Sequence, residues 1–174
     1  GEVWSNPKGR QVFKMQRKWK DGDVIILKLP MEFTVTRWFN QSAAIERGPL
    51  VYALKIKEKE VYVKGTDKYG SYLEVHPLTQ WNYGLIEQTI KDPVANLVIS
   101  KTRKPGKTPW NTENAPIEVT AKAKVIPEWQ LYNEAAGPVP YSPIKHVKDK
   151  DPVEITLVPY GCTQLRISQF PVVQ

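Results

Sequence analysis

The clearest pattern in the chain is an alternation of apolar and polar residues over residues 117–125. Apolar side chains occupy every odd position of this segment, and Glu, Thr and two Lys occupy the even positions. A period of two places all the apolar side chains on one face of a β-strand. We therefore predict a strand with one packed face and one solvated face.

Other segments rich in β-branched and aromatic residues recur along the chain between turn-forming residues. They predict strands over 12–19, 24–29, 33–38, 50–56, 60–63, 72–75, 81–86, 97–100, 153–158 and 162–167. The first two flank Asp21-Gly22-Asp23, which is typical of a hairpin turn. The last two flank Pro159-Tyr160-Gly161, for which we expect a tight turn.

The composition favours sheets over helices, because Val, Ile and Thr number 41 against 20 for Ala and Leu. About ten short strands indicate two sheets packed face to face, since a lone sheet would leave an apolar face uncovered. Residues 101–116 and 129–150 are rich in Pro and polar residues and read as long loops. We predict an all-β single domain over 1–174, a two-sheet antiparallel β-sandwich of jelly-roll-like form with two long Pro-rich loops.

The net charge of +7 does not indicate a nucleic-acid binder. Lys55, Lys57 and Lys59 alternate, as do Lys122 and Lys124, so these lysines are expected on the solvent faces of strands. No recognition-helix or zinc-finger pattern accompanies them. The longest apolar runs are a handful of residues, so we also expect no membrane span.

Residues capable of catalysis are sparse. His76, His146 and the single cysteine, Cys162, lie far apart and form no nucleophile motif. We expect Cys162 to be a small buried hydrophobe, and one cysteine cannot supply a Cys-based zinc site. A hairpin turn explains Asp21 and Asp23 better than a calcium loop does. We assign no catalytic residue, no metal ligand and no cofactor to the chain.

The aromatic residues are the best candidates for ligand contact. Several lie beside amide side chains in turn-rich segments, and the carbohydrate-contact candidates are Trp81, Asn82, Tyr83, Trp110 and Trp129. A flat ring can stack on the C–H face of a sugar while amides bind its hydroxyl groups. The alternative is that these rings plug the end of the core beneath long loops.

A set of short motifs gives the chain a family resemblance. The motifs occur, in order, at residues 19–24 (WKDGDV), 29–31 (LPM), 45–52 (IERGPLVY), 81–85 (WNYGL), 136–138 (AGP), 142–143 (SP), 158–163 (VPYGCT) and 165–167 (LRI). Together they resemble the C-terminal β-sandwich region of glycoside hydrolase family 127. This family comprises the β-L-arabinofuranosidases and their relatives, which are common in gut Bacteroidetes.

The resemblance implies a catalytic (α/α)6 barrel N-terminal to this region, with a zinc-bound cysteine nucleophile and a glutamate acid/base in a retaining mechanism. None of those residues can be assigned to a position in this chain. We therefore expect a non-catalytic accessory domain of a longer glycoside hydrolase, which packs on or supports the barrel. Zinc is expected only in the catalytic domain, and the family implies a periplasmic or extracellular location.

Two other functions and one further partner stay open. The chain could be a carbohydrate-binding module that recognises plant-type polysaccharide through surface aromatic residues. A self-sufficient enzyme is the least favoured hypothesis, because no acid/base or metal constellation is found. The family pattern also has further strands before residues 9–12, and an incomplete sheet would leave an edge able to pair with a second copy as a homodimer.

Overall fold

The computed structural model describes residues 12–174, which form twelve β-strands and two short α-helices. The strands are β1 (Phe33–Arg37), β2 (Ala43–Arg47), β3 (Leu50–Leu54), β4 (Glu58–Val63), β5 (Tyr72–Pro77), β6 (Tyr83–Ile86), β7 (Val98–Thr102), β8 (Ile117–Val125), β9 (Leu131–Tyr132), β10 (Ala135–Ala136), β11 (Val153–Pro159) and β12 (Val172–Val173). The helices α1 (Glu87–Lys91) and α2 (Pro93–Asn96) connect β6 to β7. The prediction of an all-β fold is confirmed.

Eight of the strands form one continuous curled sheet. Its order is β1-β2-β3-β11-β8-β6-β12, and β7 also pairs with β8. The predicted strand over residues 117–125 is β8, and it is the centre of this sheet. One edge of β8 pairs with β11, and the other is shared by β6 and β7. All of these neighbours are antiparallel except β12, which runs parallel to β6.

The C-terminal segment, residues 165–174, joins the two ends of the curled sheet. Ala43 of β2 and Phe170 exchange two backbone hydrogen bonds, of 2.8 and 2.9 Å. One residue further on, the carbonyl of Pro171 accepts a 2.9 Å hydrogen bond from the amide of Leu85 in β6. Because β2 and β6 lie near opposite ends of the strand order, this segment closes the curl.

The main core lies inside the curl and draws side chains from both ends of the sheet. Its largest fully buried members are Ile45, Tyr52, Ile56, Leu85, Val119, Leu157 and Phe170. A second, smaller cluster lies under the loop at 129–150 and consists of Ile126, Trp129, Ile144, Val147 and Val173. The result is a sandwich-like fold in which a continuous sheet encloses the core.

The predicted hairpin over residues 12–29 is the main difference from the sequence expectation. The turn is present, because Asp23 N donates to Lys20 O at 3.1 Å and Lys20 N donates to a carboxylate oxygen of Asp23 at 2.9 Å. The prediction of strands on either side of this turn is wrong, since residues 12–31 contain no strand. Residues 9–11, next to which the resemblance places further strands, lie outside the described part of the chain.

Residues 162–167 also differ from the prediction, since no strand forms there. A 3-10 turn over Tyr160–Cys162 leads into an irregular segment instead. One carboxylate oxygen of Glu58 accepts from the Thr163 hydroxyl at 2.6 Å and from two backbone amides, at 2.9 and 2.8 Å. These hydrogen bonds satisfy backbone donors that a strand would have paired in a ladder.

Lys124 corrects the prediction that the lysines of β8 face solvent. Its neighbour on the same face, Lys122, is exposed as expected, but Lys124 is buried. Its ammonium group donates to the carbonyl oxygens of Lys148 and Gln174. Lys124 therefore ties the end of the long loop and the C-terminal segment to β8.

Glu118 of β8 forms ion pairs with two lysines, Lys55 and Lys101, and the contribution of these pairs to stability can be tested. Burial by itself raises the pKa of Glu118, but hydrogen bonds from Lys55 and Lys101, at 3.0 and 3.2 Å, outweigh it and hold the pKa below the ordinary 4.5. A carboxylate with a lowered folded-state pKa stabilises the fold above the ordinary pKa and loses that contribution as the pH falls through the folded-state value.

We expect Glu118→Gln to lower the free energy of unfolding at pH 7 by on the order of 1 kcal/mol. The difference from the unchanged protein should shrink as the pH falls below 4.5. Urea unfolding measured from pH 7 down to pH values below the ordinary pKa checks this. Glu113→Gln, at an exposed loop position, is the matched control. A difference that stays constant across this range contradicts the assignment.

Candidate functional site

Trp129 and Trp81, two of the predicted carbohydrate-contact residues, pack against each other inside the fold. Trp129 is only 3% exposed, and its indole N–H donates to the carbonyl of Gly137 at 2.8 Å. The Trp81 ring meets it edge-on, with 5.1 Å between ring centroids and 72° between planes. Trp81 is half-buried and contacts both core clusters. These rings plug the core beneath the loop at 129–150.

Asn82 is also buried in the interior, and Tyr83 is partly buried. The buried Asn82 amide donates to the carbonyls of Ile126 and Trp129, at 2.8 and 2.9 Å. Tyr83 is half-buried against the main core, and burial raises the pKa of its phenol. The expectation that Asn82 and Trp129 contact a sugar is thus corrected, because a buried, hydrogen-bonded group is not available to a surface ligand.

Trp110 is the predicted contact residue that lies on the surface, where 71% of it is exposed. Its ring lies against Gly161, 3.3 Å from the position that a Cβ there would occupy. It borders a shallow, mainly apolar pocket of about 340 Å³. We call this the Trp110 shelf, and it is lined by Pro49, Leu50, Val51, Trp110, Pro159, Tyr160 and Gly161. The Arg166 guanidinium lies 4.9 Å from the centroid of the Tyr160 ring.

A run of exposed apolar residues precedes Met31, which contacts the sheet near this shelf. Residues 24–27 and Leu29 are between 60 and 80% exposed. Two residues further on, the Met31 sulfur packs so tightly against Gly48 that a Cβ at Gly48 would overlap it. Gly48 directly precedes Pro49, which lines the shelf. The C-terminal end of the run therefore leads into a residue that packs beside the first residue of the shelf.

A second pocket, of about 480 Å³, is formed mainly by the loop at 129–150. Its lining combines apolar residues with a carboxylate, an imidazole, an ammonium group and the exposed ring of Tyr141. The imidazole Nε2 of His146 lies 3.1 Å from a carboxylate oxygen of Glu128. This hydrogen bond is the main cause that lowers the pKa of Glu128, so its carboxylate is ionised at neutral pH. We call this the Tyr141 pocket.

The backbone around Tyr141 is fixed to the body of the fold. The Asn40 amide donates to the carbonyl of Val139 at 2.8 Å, and the Ser142 hydroxyl accepts from Val172 N at 2.9 Å. The amide of Ser142 also donates to the carbonyl of Asn40, at 2.9 Å. Tyr141 is itself 69% exposed. Sequence reasoning missed it because the segment was interpreted as a Pro-rich loop, although the prolines around Tyr141 were a usable signal.

The potential nucleophile and bases do not converge. His76 and Glu74 form a surface pair at 3.0 Å on β5, whereas His146 pairs with Glu128. The prediction that Cys162 is buried is confirmed; burial raises the pKa of its thiol, and its sulfur lies 3.3 Å from the Pro109 carbonyl. Within residues 12–174, no group of three or more His, Cys, Asp or Glu side chains is placed to hold a metal ion.

Comparisons with known proteins give no relative for this chain. No family model matches it, and no curated protein or solved structure was found to match. In the part of the chain that the structure covers, no helix is long and apolar enough to cross a membrane. The resemblance to glycoside hydrolase family 127 therefore depends on the ordered sequence motifs alone.

The buried amide of Asn82 yields a direct test of its structural role. We expect Asn82→Ala to lower the free energy of unfolding by about 2 to 4 kcal/mol, because two buried carbonyls lose their donor. Asn96→Ala is the control, since the Asn96 amide also donates to two carbonyls but in an exposed setting, and its cost should stay below about 1 kcal/mol. Denaturant unfolding of both variants measures the difference, and equal costs would contradict the account.

Proposed function

We propose that this chain is a non-catalytic accessory domain of a glycoside hydrolase of the β-L-arabinofuranosidase-like type. In this proposal it packs on an N-terminal (α/α)6 catalytic barrel of the same polypeptide and supports it. The enzyme's zinc belongs to that barrel, and the location is periplasmic or extracellular. The ordered family motifs support the enzyme class, and the exposed apolar run over residues 24–29 supports the docking role.

The run over residues 24–29 favours an interface because its apolar side chains are consecutive. Side chains of an extended chain point alternately to two sides, so consecutive apolar residues need cover on both. Val24, Ile26 and Leu29 are 80, 77 and 70% exposed. Burying each large aliphatic side chain contributes roughly 1.5–3 kcal/mol. An exposed apolar run of this kind is typical of a protein–protein contact surface.

The Trp110 shelf extends this surface. Trp110, Tyr160, Met31 and Arg166 are of the residue types enriched at the centres of protein–protein interfaces. The shelf offers few hydrogen-bonding side chains, as its lining is almost entirely apolar. A sugar would need polar partners for its hydroxyl groups, whereas an apolar protein surface would not. The shelf and the run have the same apolar chemistry, and in this proposal both contact the barrel.

The arrangement of ionisable groups supports a non-catalytic role. The two histidines each pair with a single surface glutamate, His76 with Glu74 and His146 with Glu128. The thiol of Cys162 is buried, and its hydrogen-bond partner is the carbonyl of Pro109. Retaining glycoside hydrolysis needs an acid/base facing a nucleophile across the scissile bond, so the chemistry is assigned to the barrel.

We expect Ile26→Asp to leave the unfolding midpoint of the isolated chain unchanged, because Ile26 is exposed there. In the native gene product, the same change should lower the midpoint of the catalytic unit by several degrees, since it places a charge in the contact. Differential scanning calorimetry of both proteins measures this. Val94→Asp, at a similarly exposed apolar site on α2, is the control and should affect neither protein.

The intact mass of the native gene product is measured first. The proposal requires a mass well above the 19.9 kDa of this chain. A native mass near 19.9 kDa would overturn the proposal, as would an Ile26→Asp effect no larger than that of Val94→Asp.

A further inference from the structure

We infer that the Tyr141 pocket is a binding site for a neutral saccharide, which stacks on the Tyr141 ring and is hydrogen-bonded by Glu128 and His146. This inference does not depend on the docking function, since the pocket and the docking surface share no lining residue. It differs from the sequence expectation in its residues, because none of the five predicted contact residues lines this pocket.

The Tyr141 ring has the properties of a stacking platform. It is 69% exposed, it has Pro140 as its chain neighbour, and Val139 and Ser142 on either side are hydrogen-bonded to the body of the fold. A ring on a fixed backbone loses little conformational freedom when it binds a ligand. The apolar C–H face of a sugar ring matches such a flat aromatic surface.

The polar groups of the pocket match hydroxyl groups. An ionised carboxylate such as that of Glu128 accepts several hydrogen bonds, and vicinal hydroxyls can donate two at once. The Lys145 ammonium group supplies donors in the same pocket, and the His146 ring nitrogen that is not paired with Glu128 supplies a further hydrogen-bonding position. A polyhydroxylated ligand uses acceptors and donors together, as this lining provides. The volume of about 480 Å³ lies within the range of small-molecule sites.

The charge of the pocket favours a neutral ligand. Glu128 contributes one negative charge and Lys145 one positive charge, so these two charges of the lining offset each other. An anionic ligand would meet the carboxylate, and a purely apolar ligand would cover the Glu128–His146 pair without offering a partner to its remaining hydrogen-bonding positions. The Trp110 shelf lacks such polar groups, which is why the saccharide is assigned here and not there.

The test is isothermal titration calorimetry of the 174-residue chain. The three soluble probes are arabino-, xylo- and cello-oligosaccharides. We expect at least one probe to bind with a Kd on the order of 1 mM. Tyr141→Ala should weaken that binding at least about tenfold, and Glu128→Gln should weaken it severalfold. Tyr141→Ala should leave the unfolding midpoint unchanged, because the Tyr141 ring lies at the surface, and Glu128→Gln should lower it only slightly, because the Glu128–His146 pair is solvent-exposed.

Tyr132→Ala is the matched control. Tyr132 lies on the same loop and is 67% exposed, but it does not line the pocket, so its loss should leave the Kd unchanged. The inference is overturned if no probe binds at about 10 mM, or if Tyr132→Ala weakens binding as much as Tyr141→Ala does. It is also overturned if a proline-rich peptide or inorganic phosphate binds at this pocket in preference to every oligosaccharide.

Discussion

The contact on which the rest of the structure depends is the pairing of the C-terminal segment with both ends of the curled sheet. Phe170 is fully buried in the main core, and its backbone pairs with Ala43 in β2. The next residues pair with β6, and Ile144 of the long loop in turn pairs with β12. Without this segment the core inside the curl would be open along one side. The loop that carries Tyr141 would lose one of its attachments at the same time, because the Val172 amide donates to the Ser142 hydroxyl.

The regular part of this architecture was predictable from local patterns. The alternation over residues 117–125 identified β8 with its observed bounds, because its apolar face packs on the core, while its polar face ranges from the exposed Lys122 to the buried Lys124. The closing segment carried no such signal, since β12 is only two residues long and pairs with residues distant in sequence. Lys124 followed the alternation by sequence but is buried, because two distant backbone carbonyls accept from its ammonium group. Such contacts between residues distant in the chain form only in the tertiary structure, so no local sequence pattern predicts them.

The candidate site was predicted less well than the fold, for a physical reason. An aromatic ring beside an amide is equally consistent with a sugar contact and with a core plug, and only burial separates the two. Trp129 and Asn82 proved to be interior, while Trp110 proved to be at the surface. Tyr141 was overlooked because its exposure depends on hydrogen bonds from residues far away in the chain, such as Asn40. The prediction of a hairpin over residues 12–29 was wrong for a different reason. Its apolar residues suggested two strands, but among the described residues this segment pairs with no strand.

The surface of the domain thus carries two chemically different kinds of feature: the apolar run and the Trp110 shelf, and a pocket whose mainly apolar lining includes the Glu128–His146 pair and one exposed ring. The central claim is that the apolar run is an interface, and amide hydrogen exchange over residues 24–29 tests it most directly. The account predicts fast exchange in the isolated chain, where the run forms no strand, and strongly slowed exchange in the native gene product. Exchange that is equally fast in both proteins would contradict it.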